Sequence, residues 1–306
     1  MYKMTAHRVL CLGEVMVELA PACEGLFKSG FAGDTFNTAW YLKRLLGKTA
    51  RVAYGTCIGA DQVSGELIDF LQAQGLEPAV RRIINRTLGL YMISLRDGER
   101  SFAYWRGQSA ARLLADDMEW LRGVCMAQDV IQFSGITMAI LAPDARLRFL
   151  RAITQARADG ATIVLDTNMR PRLWEDSQTM CDGVMAAARV ADIVLPSFDE
   201  ESAHFGDVTP TATIERYRSV GAKTVIVKNG HSDVIAWDLV HGSLSHTPPL
   251  AKQIDSTAAG DSFGAAVIAG LVQGKDLHTT VTDACDLASR VIQEKGALSP
   301  KLFQEG

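Results

Sequence analysis

From Asp116 onward the chain alternates short apolar runs with longer amphipathic ones, and this rhythm narrows the available folds more than any other feature. Val130-Ile131-Gln132-Phe133-Ser134, Ala161 to Asp166, Ile193-Val194-Leu195 and Thr224 to Lys228 read as strands. Between them, Ala142 to Asp159 and Gln178 to Arg189 read as helices, with Pro143 suited to a first turn, and Glu215 to Val220 adds a helical stretch. Strands joined by helices cross over right-handedly and build a mostly parallel sheet. In such a sheet ligands lie beyond the carboxyl ends of the strands. Three polar clusters fall there: Asp166-Thr167-Asn168-Met169-Arg170, Pro196 to Glu201, and Lys228-Asn229-Gly230.

The first third of the chain is more mixed. Arg8 to Gly13 reads as a buried strand, and Glu14 to Leu19 alternates polar with apolar like a sheet with one wet face. Gly30 to Asn37 reads as a Gly-rich turn into a helix from Thr38 to Leu46. Arg51 to Gly59 is expected as a strand and Asp61 to Gly75 as an amphipathic helix closed by its glycine. Leu88 to Leu95 and Arg100 to Arg106 flank Arg96-Asp97-Gly98-Glu99, a strong hairpin signal. The period of two puts Phe102, Tyr104 and Arg106 on one face, with hydroxyl and guanidinium groups suited to a polar, anionic ligand.

Composition excludes several classes. With 306 residues, 48% of them hydrophobic, the chain can bury a large core. The net charge is −4 and no block of like charge occurs, so no nucleic-acid footprint is indicated. No run reaches membrane-spanning length, and the apolar start Val9 to Gly13 is too short for a secretory leader. Six scattered cysteines without a C-x-x-C pair read as reduced thiols of a cytoplasmic protein. Gly47-Lys48-Thr49 mimics the end of a Walker A loop, but Leu42 stands where its first glycine is required. Dinucleotide and hydrolase glycine motifs are absent as well.

The stretch Asp255-Ser256-Thr257-Ala258-Ala259-Gly260-Asp261 precedes the apolar helical run Phe263 to Leu271. Small residues at a helix start leave amides free for an anion, and the helix dipole favours it. Gly260 is expected to take a φ that other residues resist. Asp261 beside the anion could take a proton from an attacking hydroxyl. The string Asp-x-Thr-Ala-Ala-Gly-Asp-Ser-Phe resembles the second signature of the ribokinase-like sugar kinases, the phosphofructokinase B family. Gly33, Asn37 and Ala39 match the first signature, in which Ala32 replaces one glycine. Within the family the resemblance is closest to the kinases of 2-keto-3-deoxygluconate. It is carried by Gly33 to Ala39, Tyr91, Tyr104-Trp105-Arg106, Asp166 to Arg170, Leu195 to Glu201, Val227 to Gly230 and Leu287 to Ile292.

The resemblance implies a three-layer α/β sandwich, with a mostly parallel central sheet and a small β-sheet lid. The chain would be a single catalytic domain over 1–306, with lid excursions at about 14–33 and 86–107. It implies ATP-dependent phosphorylation of an acidic sugar. Amides of Ala258, Ala259 and Gly260 would hold the migrating phosphoryl group, and Asp261 would be the base. Gly33, Asp34, Asn37, Tyr91, Tyr104, Arg106, Arg170 and Asp255 would hold the sugar, the two arginines matching its carboxylate. Asn168, Ser197, Lys228, Gly230, Thr257, Gly260 and Ala288 would hold the nucleotide, with Ser197 standing where the family has Asn. Glu200 would help hold Mg²⁺ through water. The resemblance also implies a homo-oligomer paired through the lid. A fructokinase or ribokinase of the same family, and a non-catalytic sugar-binding relative, are the alternatives.

Overall fold

The computed structural model describes residues 8–23, 25–96 and 99–304. Strands in chain order are β1 (Arg8–Leu12), β2 (Met16–Cys23), β3 (Leu26–Ala32), β4 (Arg51–Ile58), β5 (Glu77–Arg82), β6 (Gly89–Arg96) and β7 (Glu99–Trp105). There follow β8 (Val130–Ser134), β9 (Thr162–Asp166), β10 (Ile193–Leu195), β11 (Thr224–Val227), β12 (Val234–Asp238) and β13 (Gly242–His246). Alternate residues of one strand feed two separate cores. Val9 and Cys11 of β1 belong to one, Leu10 and Leu12 to the other. β9, β10 and β11 divide their side chains in the same way. That double burial is why these runs read as continuously apolar rather than alternating.

The large sheet has nine strands in the order β13-β12-β11-β10-β9-β8-β1-β4-β5. It is parallel from β11 to β5, and β12 and β13 add antiparallel at one edge. Helices Asp34–Leu46, Gln62–Ala73, Ala259–Val272 and Leu277–Val291 cover one face. Met118–Cys125, Pro143–Ala158, Ser177–Val190 and Pro210–Ser219 cover the other. Fully buried Phe36 and Phe149 stand on opposite faces. Each such side chain contributes roughly 1.5–3 kcal/mol, so both layers are held firmly to the sheet. Helix Ala259–Val272 is apolar on nearly every side because it sits between the sheet and its neighbours. Gly270 lets it approach Leu277–Val291 closely, since a Cβ there would lie 2.7 Å from Thr280 Oγ1.

The expected small sheet is four-stranded, in the order β3-β2-β6-β7. β6 and β7 form the hairpin and pair Arg96 with Glu99, while Asp97-Gly98 lies outside the described residues. Several boundaries differ from the sequence reading. The Asp34–Leu46 helix begins four residues early, because Gly33 already occupies its N-cap. The alternating segment enters its strand only at Met16, and Gly30-Phe31-Ala32 completes β3 rather than a turn. The helix read from Glu215 starts at Pro210, capped by the Thr209 side chain. β5, β12, β13 and the Met118–Cys125 helix are too short or too mixed to stand out in the sequence. Among the described residues no helix is long and apolar enough to cross a membrane.

Candidate active site

Strands β8 to β11 and β1 end on one rim of the sheet, with Ser134, Asp166, Ser197 and Lys228 at or just beyond the ends of β8 to β11. β11 ends at Val227, so Lys228 leaves the sheet at this rim. The Lys228 amide donates to the Pro196 carbonyl and the Phe198 amide to the Lys228 carbonyl, both at 2.8 Å, which sets Ser197 beside Lys228. Lys228 Nζ donates to Asp166 Oδ1 at 2.9 Å, in a pair largely shielded from water.

The loop of residues 255–261 reaches the same rim, with local corrections. Ala258, not Gly260, takes the left-handed conformation, at φ 63°. A non-glycine residue there costs roughly 1–3 kcal/mol, sustained by the packing around it. Gly260 lies against the end of Lys228, with the position of a Cβ on it 3.5 Å from Nζ, an ordinary contact distance. The amide of Ala259 is not free: it donates to the Ser256 carbonyl at 3.2 Å. The amides of Ala258, Gly260 and Asp261 have no acceptor among the described residues. They are the open donors at the start of the Ala259–Val272 helix. Asp255 is turned into its own loop rather than toward a sugar. One carboxylate oxygen accepts from the Thr257 amide and hydroxyl at 3.1 and 2.7 Å, the other from the Gly296 amide at 2.7 Å. Thr257 is thereby committed to Asp255 and does not line the nucleotide cleft described below.

Asp261 faces the start of the Asp34–Leu46 helix. Asn37 Nδ2 donates to its Oδ2 at 2.7 Å, and the Thr38 hydroxyl donates to its backbone carbonyl at 3.3 Å. Loss of hydration pushes its carboxyl up to about 8, helped by the negative charges of Asp34 and Asp166 and opposed by Asn37 and Lys228. Asp34 in turn accepts from Asn168 Nδ2 at 2.7 Å, so Asn168 reaches the sugar side rather than the nucleotide cleft. Asn168 is held at φ 27°. Gly33 is obligatory here, because a Cβ would lie 2.2 Å from the Glu14 carbonyl oxygen.

The expected arginines are both paired. Arg106 Nη2 donates to Glu14, which the sequence shows only as one polar position of an alternating segment, and both side chains are nearly inaccessible. Arg170 Nη1 donates to Glu200 Oε1 at 2.5 Å and to the Met169 carbonyl at 2.7 Å. Glu200 Oε2 accepts from the Met169 amide at 3.0 Å. Burial pushes the Glu200 carboxyl above the ordinary range despite Arg170. The Tyr91 hydroxyl donates to Glu18, and its ring lies 5.8 Å from that of Tyr104, which is half exposed.

A cleft of about 290 Å³ lies on the other side of Gly260. Ser197, Lys228, Gly230, Gly260 and Ala288 line it, so five of the seven residues expected at the nucleotide meet in one place. Its remaining wall includes Val234, Phe263, Cys285 and Ile292, which sequence reasoning could not separate from core residues. Among the described residues no three acidic, histidine or cysteine side chains form a ready metal cage. Mg²⁺ in kinases of nucleotide phosphates takes one or two carboxylates, its other ligands being water and phosphate oxygens. Glu200 and Asp166 lie close enough to feel one another's charge and fit that role.

A model of the pfkB family of carbohydrate kinases matches residues 6–302. The chain is 33% identical over 302 residues to the 2-dehydro-3-deoxygluconokinase of Haemophilus influenzae, covering 96% of each chain. It superposes on the crystal structure of a PfkB protein from Polaromonas sp. JS666 with a TM-score of 0.81 and 26% identity, over 94% of this chain and 96% of that one. A fructokinase from Xylella fastidiosa, solved with bound ATP, gives a TM-score of 0.82 at 21% identity, over 94% of this chain and 93% of that one. At that identity the likeness speaks for the fold alone.

Proposed function

Because this chain belongs to the pfkB family of carbohydrate kinases, we propose that it transfers the terminal phosphoryl group of ATP to 2-dehydro-3-deoxygluconate, giving the 6-phosphate. The observation that carries the reading is the place of Asp261. It is bonded to Asn37 on the sugar side and is one residue from Gly260, which lines the cleft. ATP lies in the cleft with its phosphates toward Gly260 and Lys228. The amides of Ala258, Gly260 and Asp261 receive the migrating phosphoryl oxygens, as a helix start does for any anion. Asp261 takes the proton of the 6-hydroxyl while that oxygen bonds to phosphorus and the bond to the ADP oxygen breaks. A carboxyl titrating at about 8 is well matched to that task near neutral pH. Asn37 orients it. Glu200 and Asp166 would hold Mg²⁺, which would supply neutralising charge at the phosphates.

The acidic end of the sugar meets Arg106, whose guanidinium can grip a carboxylate. Arg170, bonded to Glu200, is the second cation proposed for this end. Asp255 serves the reaction by fixing the anion loop to Gly296. The reading places the enzyme in the cytoplasm, its six cysteines reduced. It also pairs two copies through the small sheet, whose Phe102, Tyr104 and Trp105 are exposed. Light scattering should give twice the 33.2 kDa chain mass, and a monomer would remove that part.

A coupled ADP-release assay across acidic and neutral sugars tests the substrate. The expected result is kcat/KM for 2-dehydro-3-deoxygluconate far above that for fructose or ribose. The reverse order would end the assignment.

A further inference from the structure

Buried polar atoms without a partner are rare in folded proteins, and each one calls for a reason. Three of those among the described residues are Glu14 Oε1, Arg106 Nε and Asn37 Oδ1, and the sugar-kinase reading assigns Arg106 and Asn37 to the sugar. Glu14 and Arg106 are bonded to each other, yet each keeps one atom unused. Asn37 is in the same state, its amide nitrogen on Asp261 and its oxygen unpartnered. Glu14 packs against two glycines. Its carbonyl oxygen occupies the space a Cβ on Gly33 would need, and its Oε1 lies 2.8 Å from where a Cβ on Gly89 would stand. Gly33 caps the helix that carries Asp34 and Asn37, and Gly89 opens β6 of the small sheet. Glu14 therefore sits at the joint between the two sheets.

We infer that Glu14 is a specificity-determining residue of the sugar pocket, with one oxygen fixing Arg106 and the other accepting a hydroxyl of the substrate. The unused atoms amount to two acceptors and one donor. They match a ligand with two hydroxyl donors and one anionic or carbonyl oxygen, which is the pattern of a polyhydroxy acid. The inference rests on the sugar-kinase reading above and adds to it a carboxylate to which that reading gives no role. It also explains why a buried acid is retained opposite the arginine that must meet an acidic sugar. Pairing holds the guanidinium in place, and the free Nε edge is left for the substrate.

The test compares Glu14→Gln and Glu14→Ala with the wild type on whichever sugar the wild type turns over. A neutral preference in the wild type would overturn the proposed substrate and still leave Glu14 measurable. Glu14→Ala is expected to raise the sugar KM by about tenfold or more, because Arg106 and a substrate hydroxyl both lose their partner. The KM for ATP should stay within about twofold. Glu14→Gln keeps an oxygen acceptor and should recover part of the loss. Isothermal titration of ATP, together with the melting temperature, reports folding independently of turnover. A sugar KM that stays at the wild-type value in Glu14→Ala, or sugar and ATP constants that weaken in equal measure, would overturn the inference and leave Glu14 a structural residue.

Discussion

Around Asp261 the wall is made of charged and amide side chains bonded to one another: Asn37 to Asp261, Asn168 to Asp34, Arg106 to Glu14. Across Gly260 the cleft is lined by apolar Val234, Phe263, Cys285, Ala288 and Ile292 together with polar residues such as Ser197, Lys228, Asn229 and Ser289. Under the proposed function, the first region would distinguish hydroxyl from carboxylate through fixed donors and acceptors. The second can take a flat base and a phosphate chain through shape, apolar surface and open amides. Discrimination by buried hydrogen bonds is steep, because a wrong ligand leaves them unpaired, whereas apolar walls discriminate weakly. The account therefore places sugar choice in side chains and nucleotide binding largely in backbone and packing.

Substitutions at the boundary and on either side can break this contrast. The largest effect is expected at the boundary. Asp261→Asn should lower kcat by roughly 10²–10⁴-fold with ATP affinity preserved. It should also stabilise the fold. The native carboxyl titrates at about 8 against an ordinary 3.8, so between those values the unfolded chain releases a proton that the folded chain keeps. The melting temperature of Asp261→Asn should therefore exceed that of the wild type by at least about 2 °C at pH 7, with the gain gone near pH 4. On the sugar side, Arg106→Ala should raise the KM for the acidic sugar by roughly 10–100-fold and leave the ATP constant within about twofold. Equal losses for both ligands would erase the division between the regions. The smallest effect is expected in the cleft, where Ala288→Val should raise the KM for ATP about threefold through overpacking. The sugar constant should not move.

The same contrast explains what could be read from the chain alone. The parallel sheet was legible because double burial leaves continuous apolar runs in β8 to β11. Asp261 and Lys228 were legible because the strings that hold them, Asp255 to Phe263 and Val227 to Gly230, resemble the family's signatures. Backbone conformation was not: the string does not show that Ala258 rather than Gly260 takes the left-handed turn, or that Ala259 spends its amide on Ser256. Pairings over distance were hidden as well. Arg170 and Glu200 lie 30 residues apart and each looked available. Glu14 passed as one polar position in an alternating run, and its burial against Arg106 depends on how β6 and β7 lie over the rim. Phe263 and Ile292 line the cleft with side chains that serve equally well in a core.

The pH dependence of kcat/KM for the acidic sugar, at saturating ATP, tests the central claim most directly. Only the ionised carboxylate of Asp261 can accept the hydroxyl proton, so activity should climb with pH and level off above about 8. Asp34 is one of the charges that hold this group high, so Asp34→Asn should move the midpoint to lower pH. A profile that is flat from pH 6 to 9 in the wild type, or a midpoint indifferent to Asp34→Asn, would contradict a buried Asp261 as the base.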